Sequence, residues 1–159
     1  MKTQPPTFHC LLHAADLVED NLRKRLARID LRPRQARVID ALDRMDGASQ
    51  IRLAREFGIT PASMSTMTAR LIDAGFITRQ IDPNETRRHM LRLTDRGRDL
   101  LLDIHATWRD VDAMIAERIG SEGAEMLHRL TRDLRDSLGG RAPGAAREAP
   151  ASDELENSA

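Results

Sequence analysis

The stretch Ile77-Thr-Arg-Gln-Ile-Asp-Pro-Asn-Glu-Thr-Arg-Arg-His-Met-Leu-Arg-Leu-Thr-Asp-Arg-Gly97 decides the fold. Two short alternating apolar runs, Phe76 to Ile81 and His89 to Leu93, flank a polar segment holding Pro83-Asn84 and the pair Arg87 and Arg88. Alternation on both sides of a turn signal predicts a β-hairpin, here with a long basic tip. Just upstream lies a compact helical segment rich in Ser and Thr that ends at Gly75. A helix followed by a basic hairpin is the layout of a winged helix, whose helix enters the DNA major groove while the wing reaches towards the minor groove.

Working outward, Thr60-Pro61 supplies a cap and a first-turn proline for that helix. Met64, Met67 and Leu71 recur at helical spacing and are expected inward. Ser49 can cap a shorter helix that buries Ile51, Leu53, Ala54 and Phe57 and stops at Gly58, with Ile59 plugging the turn. Two helices joined by a tight glycine-containing turn make a helix-turn-helix. Neither is long enough to be stable alone, so each depends on packing against the other.

Further upstream, Pro33 opens a helix with Val38, Ile39, Leu42 and Met45 inward and Gly47 just past its end. Thr7 is read as the cap of a long first helix reaching about Ile29, with one apolar stripe from Phe8 through Leu11, Leu12, Ala15, Val18, Leu22 and Leu26. Downstream, Thr94 caps a long helix through roughly Ile119, with Leu100, Leu101, Ile104, Trp108, Val111 and Ile115 inward. Gly120-Ser121 breaks it, and a last helix carries Leu127, Leu130, Leu134 and Leu138. Residues 140 to 159 are rich in Ala, Pro, Glu and Ser, and are expected to be a disordered acidic tail. The fold class is therefore mostly α with a small β-hairpin wing.

Bulk composition narrows the function. With 159 residues, 40% apolar and 3% aromatic, the chain is one domain whose core must come from Leu, Ile, Val, Met and Ala. No apolar run approaches the ~20 residues that span a bilayer. The N-terminus shows no signal-peptide pattern, and a single cysteine suits a reducing cytoplasm. No membrane partner is expected. The formal net charge is zero, which argues for modest non-specific affinity for nucleic acid. Locally the balance differs: Thr60 to Arg98 holds seven arginines against four acids, and the segment after Gly140 two arginines against four acids.

The segment Asp82-Pro-Asn-Glu-Thr-Arg-Arg-His-Met-Leu-Arg-Leu-Thr-Asp-Arg-Gly97 resembles the wing signature of MarR-type regulators, an Asp-x-x-Asp-Arg-Arg motif followed by apolar residues and Leu-Thr-x-x-Gly. Helix order, helix lengths and the Leu71-x-x-x-Gly75 ending extend the likeness over about residues 7 to 139. Counting back from Leu93-Thr94 puts Glu85, Thr86 and Arg87 on the Asp-Arg-Arg positions. Arg87 thus matches the wing arginine that, in the family, inserts in the minor groove. Thr86 departs from the family's basic residue, and Arg88 is the candidate substitute from the next position. The resemblance implies a winged helix-turn-helix lobe over about residues 33–94. It also implies a homodimer built on helices of about 7–29 and 95–139, and a small-molecule effector, commonly an acidic aromatic or another small molecule, bound between lobe and dimer base.

In that architecture the outward positions of the fourth helix are Pro61, Ala62, Ser63, Ser65, Thr66, Ala69 and Arg70. Small hydroxyl side chains let a helix lie close to base edges and donate to phosphates, while Thr and Ala methyls touch thymine. Arg70 can reach a guanine edge or a phosphate. Arg87, and Arg88 beside it, would gain from the negative potential of a narrow minor groove. Ser49 and Thr60 are caps first and phosphate contacts second. A two-fold dimer implies a pseudo-palindromic double-stranded operator with half-sites ~34 Å apart. Solvated polar faces and charge pairs are the bland alternative for each of these residues.

Other features are weaker. Cys10 invites a thiol redox reading, yet a lone cysteine on an apolar helix is usually a small packing residue, and the chain has no tyrosine. His9 and His13 stand one turn apart, with Asp16 and His105 as possible additions; chance pairs of this kind are common, so no metal site and no cofactor is expected. Trp108 is read as a core or dimer residue. No Ser/His/Asp or paired-carboxylate set has a convincing context, so the chain is not expected to be an enzyme. The competing class is a winged-helix dimerisation or adaptor protein that docks a protein partner and not DNA.

Overall fold

The computed structural model describes residues 5–82, 85–141 and 143, with the side chains of residues 82–88 outside that description. Helix α1 runs Thr7–Leu26 and closes in a 3-10 turn, Ala27–Ile29; α2 is Pro33–Arg44, α3 Gln50–Glu56 and α4 Pro61–Asp73. A two-stranded antiparallel hairpin follows, β1 Ile77–Asp82 and β2 Glu85–Leu93, then α5 Asp95–Ile119 and α6 Ser121–Ser137.

Three caps act as expected. Ser49 Oγ accepts the Arg52 amide at 3.2 Å, Thr60 Oγ1 the Ser63 amide at 3.1 Å, and Thr94 Oγ1 the Gly97 amide at 3.0 Å. Thr7 does not cap α1. Pro6 occupies the N-cap in an extended conformation and makes no side-chain bond, so Thr7 is already helical.

The core gathers Leu26, Leu31, Val38, Ile39, Leu42, Leu53, Met64, Leu71, Ile77, Leu91 and Ile104, drawn from every element but α6. Each such side chain contributes ~1.5–3 kcal/mol by leaving water. Ile51, expected inside, is 57% exposed; α3 turns Leu53 and Ala54 inward instead. Trp108 packs half-buried against the core, and Leu22 and Ile29 do likewise, whereas the N-terminal half of the α1 stripe is exposed. Among the described residues no buried side-chain polar atom lacks a partner.

The wing is rooted on both sides. Ile77 pairs with Leu93 and Ile81 with His89, after which the register shifts so that Asp82 faces Glu85. Residues 85–88, expected in a long basic tip, are thus strand backbone carrying a register break, and residues 83–84 lie outside the described residues. On its other edge, β2 exchanges a pair of hydrogen bonds with Ala48, at 3.0 and 2.9 Å between Ala48 and Leu91. Thr94 closes the root: its hydroxyl donates to the Gly75 carbonyl at 2.7 Å. Gly97 is required there, because a Cβ would overlap the Phe76 carbonyl oxygen.

Candidate nucleic-acid interface

Helix α4 presents one face to the core and one to solvent because Met64, Thr68 and Leu71 recur at one-turn spacing. Thr68 was not anticipated inside. It is 1% exposed, and its hydroxyl donates to the Met64 carbonyl at 2.9 Å, while Thr68 Oγ1 accepts from the Gln50 side-chain amide of α3 at 3.3 Å. A polar pin therefore joins the two helices within an otherwise apolar contact. Met67 is half-buried against the core.

The opposite face carries Pro61, Ala62, Ser63, Ser65, Thr66, Ala69 and Arg70, all exposed. Thr60 Oγ1 donates to Ser63 Oγ at 2.9 Å, and Thr66 Oγ1 donates to the Ala62 carbonyl at 3.2 Å. Local bonds of this kind hold hydroxyls that can be exchanged for an incoming acceptor. Ser49 differs from the rest of the sequence-derived set. It is buried, and its hydroxyl is committed to capping α3. The side chains of Arg87 and Arg88 lie outside the described residues, their backbones being in β2.

Sequence reasoning missed a pattern in the arginines around this face. Arg52 and Arg55 on α3, Arg70 on α4 and Arg79 on β1 are exposed, and no ion pair is seen for any of them among the described residues. Pairing depends on tertiary neighbours, which periodicity does not report. By contrast Arg92 meets Asp46 at 2.8 Å, and Arg44 meets Asp40 at 2.6 Å. A cleft of about 670 Å³ separates the end of α1 and the start of α2 from the end of α4, with Arg23, Asp30, Arg32, Arg70, Leu71 and Phe76 in its lining. Arg23 is partly spoken for, since Lys24 and Arg23 together hold the Asp20 carboxyl below its usual range. For Arg32 and Arg70 in that cleft no ion pair is seen among the described residues.

Cys10 is exposed on α1, as are His9, His13 and Asp16. His105 is engaged elsewhere: its Nε2 donates to the Asp40 carboxylate at 2.8 Å, tying α5 to α2. No group of three His, Cys, Asp or Glu side chains placed to hold a metal ion is found among the described residues.

The MarR family model matches residues 29–88, the span from the 3-10 turn into the second strand of the wing. The HTH-type transcriptional repressor Rv2887 of Mycobacterium tuberculosis is 33% identical over 96 residues, covering 58% of this chain and 69% of that protein. The chain belongs to the MarR family. The transcriptional regulator HosA of Escherichia coli is similar as well, 28% identical over 108 residues, 68% of this chain and 80% of that one. In three dimensions the apo form of MarR from E. coli superposes with a TM-score of 0.74 at 16% identity, over 84% of this chain and 98% of that one. Rv2887 in complex with DNA gives 0.71 at 24% identity, over 82% and 98%. This member of the MarR family is thus a winged-helix transcriptional regulator and not an enzyme. Among the described residues no helix is long and apolar enough to cross a membrane.

Proposed function

We propose that this chain works in the cytoplasm as a homodimeric repressor, reads a pseudo-palindromic double-stranded operator, and is released by a small acidic molecule. The observation that carries the reading is the solvent face of α4: a hydroxyl-lined, nearly uncharged helix surface flanked by arginines for which no ion pair is seen among the described residues. Small side chains permit close approach to base edges, and unpaired guanidinium groups suit phosphates. In this reading Pro61, Ala62, Ser63, Ser65, Thr66 and Arg70 enter the major groove, Thr60 and Ser49 sit at helix starts near the backbone, and Arg87 with Arg88 reach the minor groove. Rv2887, which shares the fold and 33% identity over the matched stretch, is a repressor seen in complex with DNA.

The dimer follows from the rest of the chain. Helix α6 has no buried residue, and it exposes Met126, Leu127, Leu130 and Leu134, while α1 exposes Phe8, Leu11, Leu12 and Leu17. Apolar stripes of this extent need a partner surface, and a second copy supplies it. The lobe over 33–94 then projects from a base of residues 7–29 and 95–139. The effector reading rests on the cleft between that base and α4. An acidic ligand there meets Arg32 and Arg70, and it acts only through unequal affinity for the DNA-bound and released arrangements.

Selection of bound fragments from genomic DNA, followed by gel shift across a salt series, tests the function. A DNA reader enriches a two-fold sequence and loses affinity steeply as salt rises. A protein that prefers no duplex at physiological salt is not one.

A further inference from the structure

We propose that the connection between α1 and α2 carries a second phosphate-binding surface, formed by Arg28, Arg32, Arg34 and Arg37, which extends the DNA contact beyond α4 and the wing. The inference rests on the DNA-reading function proposed above. From Arg23 to Arg37 the sequence holds seven cations and a single acid, Asp30, in a chain whose formal net charge is zero. This is a denser positive run than the wing itself.

The structure divides the seven into two groups. In the last turns of α1 the cations are offset: Arg23 and Lys24 share Asp20, and Arg25 bonds Asn21 and lies 3.6 Å from Asp110. The other four are exposed, and no ion pair is seen for them among the described residues. Like charges held this close repel, and a chain with as many acids as bases has the means to neutralise them. Here it does not.

Local geometry keeps the four outside. Pro33 starts α2, and Ala36, Val38 and Ile39 turn into the core, which leaves Arg34 and Arg37, one turn apart, on the solvent side. Gln35 Oε1 accepts the Arg32 amide at 3.0 Å, fixing the backbone where Arg32 leaves the helix start. Arg32 lines the same cleft as Arg70, so the basic surface runs on from the reading helix. A polyanion suits such a cluster of exposed guanidinium groups, because each offers a planar pair of donors to one phosphate. A small free anion in the cleft would engage Arg32 and Arg70 but would leave Arg34 and Arg37 unused.

The test compares the full-length protein with a variant carrying Arg28→Gln, Arg32→Gln, Arg34→Gln and Arg37→Gln, on the selected operator and on an unrelated duplex of equal length. The expected result is an equal fold-loss of affinity on both duplexes. The slope of log affinity against log salt should also become shallower by about 0.9 for each phosphate contact removed. The corresponding Lys variants should keep most of that slope, since charge and not packing is at work, and Arg129→Gln on α6 should leave it unchanged. Thermal melting of every variant checks folding. A wild type that binds no duplex overturns the functional reading and this surface with it. A wild type that binds, with a folded Gln variant of unchanged slope and unchanged hydroxyl-radical footprint, overturns this surface alone.

Discussion

The winged lobe and the helical base of this molecule are finished in opposite ways. In the lobe, apolar side chains are inside and arginines are left without carboxylates: Arg34, Arg37, Arg52, Arg55, Arg70 and Arg79 are all exposed, and none shows an ion pair among the described residues. In the base, charges are more often matched, as in Arg98 with Asp95 at 2.6 Å and Arg135 with Asp136 at 2.6 Å, while leucines face water along α6. Each region exposes what its partner would take up. Hydrocarbon calls for hydrocarbon and cations call for phosphates, so one chain with zero net charge carries two surfaces of different chemistry. Net charge alone conceals this.

The strongest way to break the comparison is to make the base resemble the lobe. Leu127→Asp with Leu130→Asp puts two carboxylates in the exposed stripe of α6, where no residue is buried within the chain. Sedimentation should show a folded monomer. Operator affinity should fall roughly 100- to 10,000-fold, because two half-sites no longer bind as one linked unit. A variant that stays dimeric places the self-association surface elsewhere.

The next test removes charge from the lobe. Arg87→Ala should cost about 1–3 kcal/mol of operator binding and leave the melting temperature in place. Its backbone lies in β2 at the register break, away from the hairpin root where Ile77 pairs with Leu93. An unchanged binding curve takes the wing out of recognition.

What could be read from the sequence follows the range over which each cause acts. Ser49, Thr60, Thr94, Pro33 and Pro61 announce helix starts because a cap acts within three residues. Thr7 misleads because Pro6, just before it, fits the extended N-cap equally well. In α3 only seven residues are helical, too few turns to fix which face is buried, so Ile51 was expected on the wrong side. Thr68 is a polar residue in a core position, legible only once the Met64 carbonyl and Gln50 are seen to satisfy it. The Ala48–Leu91 bridge, and the arginines for which no ion pair is seen among the described residues, depend on residues far apart in the chain and leave no local signature. The exposed face of α4 from Pro61 to Arg70, by contrast, was legible in the sequence, because helical periodicity alone defines it; Asp73, also exposed, continues it.

A smaller effect sharpens the role of the caps. Thr60 accepts the Ser63 amide and donates to the Ser63 hydroxyl, so Thr60→Ala frees the start of the reading helix. Stability should drop by ~1 kcal/mol in a denaturant titration. Thr60→Asn, which keeps the accepting oxygen, should recover most of it. If Thr60→Ala melts like the wild type, the proline at position 61 is enough to start α4.

The smallest change concerns Arg92 and Asp46, an ion pair at 2.8 Å that links β2 to the turn after α2. It is one of the lobe's few matched charges, and Asp46 is 94% exposed. An exposed pair of this kind is worth ~0–1 kcal/mol and fades as salt rises. The wing root, however, is already tied to the same turn by the two backbone bonds between Ala48 and Leu91, and Gly47 lets the Arg92 stem pass close to the backbone. Arg92→Ala should therefore lower stability by less than ~1 kcal/mol in low salt and by less again at high salt. A larger loss that persists at high salt would show that the arginine stem packed over Gly47 holds the wing, and that the lobe's matched charges serve packing and not electrostatics.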